Sequence, residues 1–130
     1  MDRRILLDTN AYTELRRSGK WLAATESSSA VYLSVIVIGE LRAGFLNGSK
    51  RERNELDLQR FLSKPSARTI APDIQTTLYY SQLGLQLRLQ GTPIPQNDLW
   101  IAALALQHGL WLCTSDSHFD HIPQLLRAAS

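Results

Sequence analysis

Apolar and polar residues along the chain form short apolar runs that alternate with stretches of helical periodicity. The apolar runs at residues 4–7, 31–33 and 110–114 predict buried strands, and residues 68–70 predict a further short strand. Short apolar strands that alternate with helices are typical of a parallel sheet with helices packed on it. The pattern therefore predicts an α/β fold with a short central parallel sheet flanked by helices.

The segments between these runs carry helical patterns. The predicted helices cover residues 9–17, 20–26, 35–45, 50–62, 74–90 and 99–106. In the fourth helix, Leu56, Phe61 and Leu62 are expected on the inner side. The fifth helix follows Asp73, a favourable N-cap, and has one apolar stripe at helical spacing: Ile74, Leu78, Ser81, Leu85 and Leu89. The sixth helix is apolar on every side, which indicates a buried helix.

Length and composition agree with one globular domain spanning residues 1–130. Hydrophobic residues make up 44% of the chain and charged residues 20%, so that a self-sufficient core is expected. The one cysteine, Cys113, excludes an internal disulfide and a zinc site of several thiolates. The sequence contains no signal-peptide pattern and no apolar run of about 20 residues, the length of a membrane span. We expect a cytoplasmic protein without a membrane partner.

The net charge is +2, from 14 basic and 12 acidic residues. A surface dedicated to coating nucleic acid is usually far more basic, so composition alone leaves a nucleic-acid partner open. The positions of the acidic residues are more informative than their number.

Four acidic residues occupy equivalent places relative to the predicted elements. Asp8 directly follows the first strand, and Glu40 lies in the first turns of the helix after the second strand. Asp98 stands at the start of the buried helix, and Asp116 lies just past the last strand. Because ligands of open α/β sheets bind at the carboxyl ends of the strands, we expect the four side chains to converge there. These four residues are called the acidic cluster below.

Each acid also has a structural interpretation. Aspartate is a favoured N-cap, so Asp8, Asp98 and Asp116 taken singly could serve as helix caps. Glu40 lies on a helical stripe of apolar and small residues, where a carboxylate is partly buried and needs a partner.

Converging carboxylates repel one another unless a cation neutralises them. Oxygen ligands select hard ions, here Mg²⁺ or Mn²⁺. Such an ion assists the attack of water on a phosphodiester by acidifying the water and neutralising charge on the phosphate. With the four clustered acids set aside, the chain retains 14 basic and 8 acidic residues, a balance of +6 suited to RNA or to an acidic protein segment.

Four motifs occur in order along the chain: Leu7-Asp8-Thr9-Asn10, the stretch 34–44 (SVIVIGELRAG), the stretch 97–103 (NDLWIAA) and the stretch 114–119 (TSDSHF). Together they resemble the PIN domain nucleases, most closely the VapC-type toxins of type II toxin–antitoxin pairs. The resemblance covers essentially the whole chain. It implies a Mg²⁺-dependent endoribonuclease that forms a homodimer and is inhibited by a small antitoxin protein.

The resemblance also implies roles for individual residues. The acidic cluster becomes the catalytic site, with Asp8, Asp98 and Asp116 as metal ligands and Glu40 as a residue that positions water or acts as a base. Side chains that could orient the carboxylates are Thr9, Asn10, Ser34 and Thr114, although capping and turn formation explain them equally well. The family often has a hydroxyl residue near Val37, which is absent here.

Several other polar residues are weaker candidates. His118 and His121 lie three positions apart, but a transition-metal site is not favoured with one cysteine and no other nearby histidine. Asp120 is interpreted as a surface cap. Basic residues that could hold RNA phosphates are Arg16, Arg17, Lys20, Arg42, Lys50, Arg51 and Arg53. Arg42, two residues from Glu40, is the preferred candidate among them.

Three other functions remain open at this point. A PIN nuclease that processes RNA without an antitoxin would use the same chemistry. An aspartyl-nucleophile phosphatase resembling the haloacid dehalogenase group usually carries a second aspartate two residues after the first, where this chain has Asn10. A non-catalytic interaction module would be indicated by loss of one of the four acids, all of which are present.

Overall fold

A parallel sheet forms the centre of the fold in the computed structural model, which describes residues 3–130. Its four strands are β1 (Arg4–Leu7), β2 (Ala30–Ser34), β3 (Ala67–Ile70) and β4 (Trp111–Cys113). The strands are arranged in the order β3-β2-β1-β4, and every neighbouring pair is parallel. The predicted α/β fold with a short parallel sheet is therefore confirmed.

Helices connect and cover these strands. They are α1 (Thr9–Ser18), α2 (Leu22–Ser27), α3 (Val35–Asn47), α4 (Arg51–Leu62), α5 (Ile74–Gln90) and α6 (Gln96–His108), followed by a 3₁₀ segment at Ser117–His121. Strand residues Leu6, Leu33 and Leu112 are fully buried because helices cover the sheet. In the described residues, no helix is both long enough and apolar enough to cross a bilayer.

The order of the strands creates a crevice beside β1. From β1 the chain moves to β2 and then to β3 on one side, and it returns through α5 and α6 to β4 on the other side. The direction of winding thus reverses at β1, and open α/β sheets bind ligands at such a reversal. Leu7 pairs with Cys113 in register, so the residues that follow these two strands, Asp8 and Thr114, emerge side by side.

Helix ends follow the predicted capping signals, with one difference that affects the site. The Asp73 side chain accepts a hydrogen bond from the backbone N–H of Thr76 and forms a capping box with it. Gly91 ends α5 with a φ of 75°, a conformation that favours glycine. Helix α6, however, begins at Gln96, so Asp98 lies inside the first turn and is not its N-cap.

Two predicted helices turn different residues inward than their spacing suggested. In α4, Leu56 is 46% exposed, whereas Leu58 is fully buried, so the inward placement of Leu56 was wrong. The stripe that predicted α5 lies largely in solvent, with Ile74 81% and Leu89 78% exposed. The buried leucines of α5 are Leu83 and Leu87. Helical spacing shows that apolar residues share one side of a helix, but it does not show whether that side faces the core. Because α5 has apolar residues on two sides, spacing alone could not tell which of them is buried.

Candidate active site

The acidic cluster lines a single cleft at the carboxyl ends of β1 and β4, with a volume of about 490 Å³. Asp8 comes directly from β1, Glu40 from α3, Asp98 from the first turn of α6, and Asp116 from the loop after β4. Thr9, Asn10 and the segment 95–97 complete the lining. Residues far apart in the sequence therefore meet at the crevice that the sheet topology creates.

Asp8 is held rigidly between the two central strands. Its side chain is only 4% exposed. One carboxylate oxygen accepts a 2.7 Å hydrogen bond from the backbone N–H of Ala11 and thereby caps α1, and the other accepts a hydrogen bond from the hydroxyl of Thr114. Burial raises the pKa of Asp8 despite these hydrogen bonds, and the charges of Asp98 and Asp116 raise it further.

Glu40 reaches the cleft from α3. Its Oε1 accepts a 2.7 Å hydrogen bond from the hydroxyl of Thr9, the residue that follows Asp8. Thr9 and Thr114 therefore each orient one carboxylate of the acidic cluster. This arrangement leaves the second oxygen of Glu40 available to a ligand in the cleft.

Asp98 and Asp116 meet at the imidazole of His118. The Nδ1 atom of His118 lies 2.9 Å from Asp98 Oδ2 and 3.1 Å from Asp116 Oδ1. Burial raises the pKa of Asp98, and the neighbouring charges of Asp116 and Glu40 add to this, whereas His118 opposes it. The hydrogen bond to Asp98 in turn raises the pKa of His118.

The backbone around Asp116 fixes this arrangement. Asp116 accepts a 2.9 Å hydrogen bond from the backbone N–H of His118 and caps the 3₁₀ segment, while its own N–H donates to the Thr114 hydroxyl at 2.9 Å. One threonine thus connects Asp8 to the loop that carries Asp116. The capping interpretation of both aspartates is correct, and it is compatible with a position in the cleft.

The donor atoms suit a divalent cation. Among the residues that the structure describes, one oxygen each of Asp98 and Asp116 and one ring nitrogen of His118 lie within 4.8 Å of one another. Asp8 and Glu40 line the same cleft but do not belong to this group of three close donor atoms. Burial is the main cause of the raised pKa values of Asp8 and Asp98, and a cation would relieve the mutual repulsion that adds to it.

The remaining sequence candidates occupy different positions. Ser34 is fully buried and accepts a hydrogen bond from the N–H of Val37, so it caps α3. Asn10 is exposed at the edge of the cleft. Arg42 forms two 3.0 Å hydrogen bonds with Glu55 and lies in a groove between α3 and α4, outside the lining of the acidic cleft.

Sequence reasoning passed over His118 as a member of the cleft. The signal was present, since His118 lies two residues after a candidate acid and directly before the buried Phe119. The spacing of His118 and His121 suggested a shared metal site, but the contacts of His118 are Asp98 and Asp116, and His121 lies at the exposed end of the same 3₁₀ segment.

The fold and the cleft define an α/β protein with a carboxylate-lined site at the reversal point of a parallel sheet. The profile of the PIN domain family matches residues 5–125. The chain therefore belongs to the PIN domain family.

Two similar proteins are a toxin and a ribonuclease by name. The chain is 36% identical over 123 residues to toxin FitB of Neisseria gonorrhoeae, which is 87% of this chain and 88% of FitB. It is 33% identical over 100 residues to ribonuclease VapC2 of Rickettsia felis, which is 76% of this chain and 73% of that protein.

Solved structures of VapBC proteins have the same fold as this chain. The VapBC-1 structure from nontypeable Haemophilus influenzae has a TM-score of 0.84 at 27% identity and matches 96% of each chain. The structure of VapBC2 from Rickettsia felis, bound to a DNA fragment from their promoter, has a TM-score of 0.83 at 27% identity and matches 96% of this chain and 97% of that one.

Proposed function

We propose that this protein is a Mg²⁺-dependent endoribonuclease and the toxin of a type II toxin–antitoxin pair. The observation that carries the proposal is the convergence of the acidic cluster in one cleft of a PIN domain. Its similarity to ribonuclease VapC2 and toxin FitB supports RNA as the substrate and a toxin as the biological role.

In this proposal Asp8, Asp98 and Asp116 hold the cation. Carboxylate oxygens favour Mg²⁺, and Mn²⁺ also suits them. When bound, such an ion polarises the scissile phosphate and makes the attacking water more acidic. The hydrogen bonds from the Ala11 N–H and the Thr114 hydroxyl hold the Asp8 carboxylate in one orientation.

Glu40 is the residue we assign to the attacking water. Its carboxylate lies in the cleft, and the Thr9 hydroxyl fixes one of its oxygens. The free oxygen is then placed to accept a hydrogen bond from water and to take its proton as the phosphodiester is cleaved. Thr9 acts as a positioning residue in this scheme because it contacts Glu40 and not the water.

RNA would approach along a second cavity that shares Thr9 and Glu40 with the acidic cleft. This cavity has a volume of about 390 Å³ and lies between α1, α3 and α4. Arg16 and Arg17 line it, and both are exposed. Arg16 pairs with Asp57 at 3.4 Å, so Arg17 is the residue that would hold a phosphate beside the cleaved bond, a contact that weakens as the salt concentration rises.

An antitoxin would bind over the cleft and block access to it. Solved structures with the same fold include toxin–antitoxin complexes, among them VapBC-1 of Haemophilus influenzae. Outside the acidic cluster, the chain has an excess of basic residues, 14 against 8 acidic ones, which suits an acidic segment of an antitoxin. The cytoplasm would be the shared location of toxin, antitoxin and RNA.

The exposed stripe of α5 supports a homodimer. Ile74, Leu78, Leu85 and Leu89 are between 48% and 81% exposed, which is unusual for four large apolar side chains on one helix. A second copy that covers this stripe would bury them. Replacing Leu78 and Leu85 with glutamate should convert the dimer to a monomer in multi-angle light scattering without loss of helix content, and an unchanged mass would contradict this interface.

The function is tested with purified protein and a structured RNA. Cleavage should require Mg²⁺ or Mn²⁺, stop in EDTA and be lost in Asp8→Ala and Asp98→Ala variants that remain folded by circular dichroism. Cleavage that persists in EDTA or in both variants would contradict the proposed chemistry. Inhibition by the product of an adjacent short reading frame would identify the antitoxin, and the absence of such a frame would favour an RNA-processing nuclease.

A further inference from the structure

His118 joins the cleft through a part of the chain with a fixed geometry. It is the second residue of the 3₁₀ segment, and the hydrogen bond from its N–H to Asp116 holds its backbone beside the acids. Its side chain is 44% exposed, so the ring contacts two acids of the cleft and is also accessible from solvent. An ion that enters the cleft can therefore reach Nδ1.

The two separations between His118 and the carboxylates match those of neighbouring ligands around one ion. In an octahedral site with bonds of about 2.1 Å, adjacent ligand atoms lie about 3.0 Å apart. Nδ1 of His118 lies 2.9 Å from Asp98 Oδ2 and 3.1 Å from Asp116 Oδ1. Nδ1 and each of these two oxygens are therefore spaced as adjacent ligands of one ion.

We propose that His118 Nδ1 is a direct ligand of the cation, together with Asp98 and Asp116, and that this nitrogen makes the site select Mn²⁺ over Mg²⁺. The proposal rests on the metal-dependent function proposed above and refines its ligand set. It replaces a site of oxygen donors alone by one nitrogen and at least two oxygens.

The chemistry of the donors gives the direction of this selectivity. Mg²⁺ prefers oxygen ligands and gives up its water reluctantly, whereas imidazole binds transition metals more readily. A nitrogen ligand therefore adds more to the affinity for Mn²⁺ than to the affinity for Mg²⁺. The carboxylates alone would leave the two ions much closer in affinity.

A competing role for His118 predicts the opposite effect of its removal. If the imidazole served only as a hydrogen-bonded cation that neutralises Asp98 and Asp116, a metal ion would have to displace it. Loss of the side chain would then increase the affinity for both ions. The sign of the change in Mn²⁺ affinity thus separates a ligand from a competitor.

The experiment uses the metal alone and compares wild type with His118→Gln, at about pH 8, where imidazole is ordinarily neutral. Binding of Mn²⁺ is measured by electron paramagnetic resonance of the free ion, and Mg²⁺ by competition. His118→Gln should raise the dissociation constant for Mn²⁺ about tenfold or more and that for Mg²⁺ less than about threefold. His121→Gln is the matched control from the exposed end of the same 3₁₀ segment and should bind both ions like wild type.

Pulsed electron paramagnetic resonance of the bound Mn²⁺ gives a direct readout of the ligand. Coupling to a ring nitrogen should be present in wild type and in His121→Gln and absent in His118→Gln. Mn²⁺ that binds to wild type without nitrogen coupling, or more tightly to His118→Gln, would overturn this inference and leave the proposed function intact. If wild type bound neither ion, both this inference and the metal-dependent function would fall.

Discussion

The acidic cleft and the outer face of α5 both hold side chains in surroundings that cost stability, but they do so in opposite ways. The cleft holds charged groups away from water, with Asp8 only 4% exposed. Helix α5 presents apolar side chains to water, with Ile74 81% exposed. In the cleft the chain itself supplies partners, such as Thr114 for Asp8 and Thr9 for Glu40. Along the stripe of α5, the described chain supplies none.

This difference separates what the chain completes by itself from what it leaves for another molecule. The hydrogen bonds of the cleft fix the orientation of each carboxylate before any ion or substrate arrives, which is the arrangement expected of a preorganised site. The apolar stripe has no directional contacts, and its burial depends on a second surface. Substitutions in the two regions should therefore have different consequences.

The largest effect is expected in the cleft, from Asp98→Asn. The variant keeps the shape of the side chain but removes a charge that burial and two neighbouring acids disfavour. We expect RNA cleavage to fall by a factor of about 100 or more, because charge stabilisation at a reacting group contributes on this scale. The folded protein should be at least as stable as wild type, because the repulsion within the acidic cluster decreases.

Cleavage assays and thermal unfolding on the same preparations would check both parts. Asp120→Asn is the matched control. Asp120 is exposed, lies 3.1 Å from the guanidinium of Arg127 and is not part of the cleft lining. It should leave cleavage unchanged. A loss of cleavage in Asp98→Asn that came with a large drop in melting temperature would point to a structural role for Asp98 instead.

The two faces of α5 allow the next test. Leu83 is 3% exposed and Leu85 is 48% exposed on the same helix. Leu83→Ala should lower the free energy of unfolding by about 2–5 kcal/mol, because it leaves a cavity in the core. Leu85→Ala, measured by urea unfolding at a protein concentration that keeps the chain monomeric, should change it by less than about 0.5 kcal/mol.

Raising the protein concentration would sharpen this contrast. A dimer that covers the stripe links stability to concentration, so the cost of Leu85→Ala should grow as the chain associates. A concentration-independent cost for Leu85→Ala would contradict the proposed interface. A cost of less than about 1 kcal/mol for Leu83→Ala would show that α5 is packed less tightly than its burial indicates.

The pH dependence of stability should distinguish Asp8 from an ordinary capping aspartate. The pKa of Asp8 is raised above 3.8 in the folded chain, so the folded protein holds this proton more tightly than the unfolded chain does. Its contribution to stability is present below pH 3.8 and is lost as the pH rises through the raised pKa. The stability of Asp8→Asn relative to wild type, measured by urea unfolding in EDTA, should therefore increase from about pH 4 to pH 7.

Asp73→Asn is the control with the opposite sign. Hydrogen bonds from Gln107 and Thr76 hold the pKa of Asp73 below its ordinary value. Its contribution is thus present above pH 3.8 and is lost as the pH falls through the lowered pKa, so that Asp73→Asn should lose stability relative to wild type as the pH rises. Parallel pH profiles for the two variants would contradict the assignment of Asp8 as a buried, repelled carboxylate.

The sequence predicted the elements of the fold better than their orientation. The positions of β1, β2 and β4 were predictable because apolar runs of three to five residues bounded by polar ones leave few alternatives. Helix α5 was predictable from the spacing of Ile74, Leu78, Leu85 and Leu89, but the direction of that stripe depends on what the rest of the chain covers. Periodicity is a local property, whereas burial is decided by contacts between distant segments.

The same limit applies to the cleft. Convergence of the acidic cluster was predictable from chain positions alone, because all four acids lie where the carboxyl ends of parallel strands meet one edge. The contact of His118 with Asp98 was not, because it joins the loop after β4 to the first turn of α6, residues twenty positions apart. Pairing of Arg42 with Glu55 likewise depends on the packing of α3 against α4.

The smallest predicted effect concerns the basic residues near the cleft and compares Arg17 with Arg42. Arg17 lines the cavity that adjoins the acidic cleft, while Arg42 lines a different groove and is held by both oxygens of Glu55. A guanidinium whose donors already bind a carboxylate binds a phosphate less strongly. Arg17→Ala should therefore raise KM for RNA by about threefold to tenfold and lower the salt dependence of KM by the amount expected for about one lost phosphate contact. Arg42→Ala should change KM and its salt dependence by less than about twofold. Equal effects from the two variants would show that RNA spans both grooves, and the path assigned to it along α1 would then have to extend over α3 and α4.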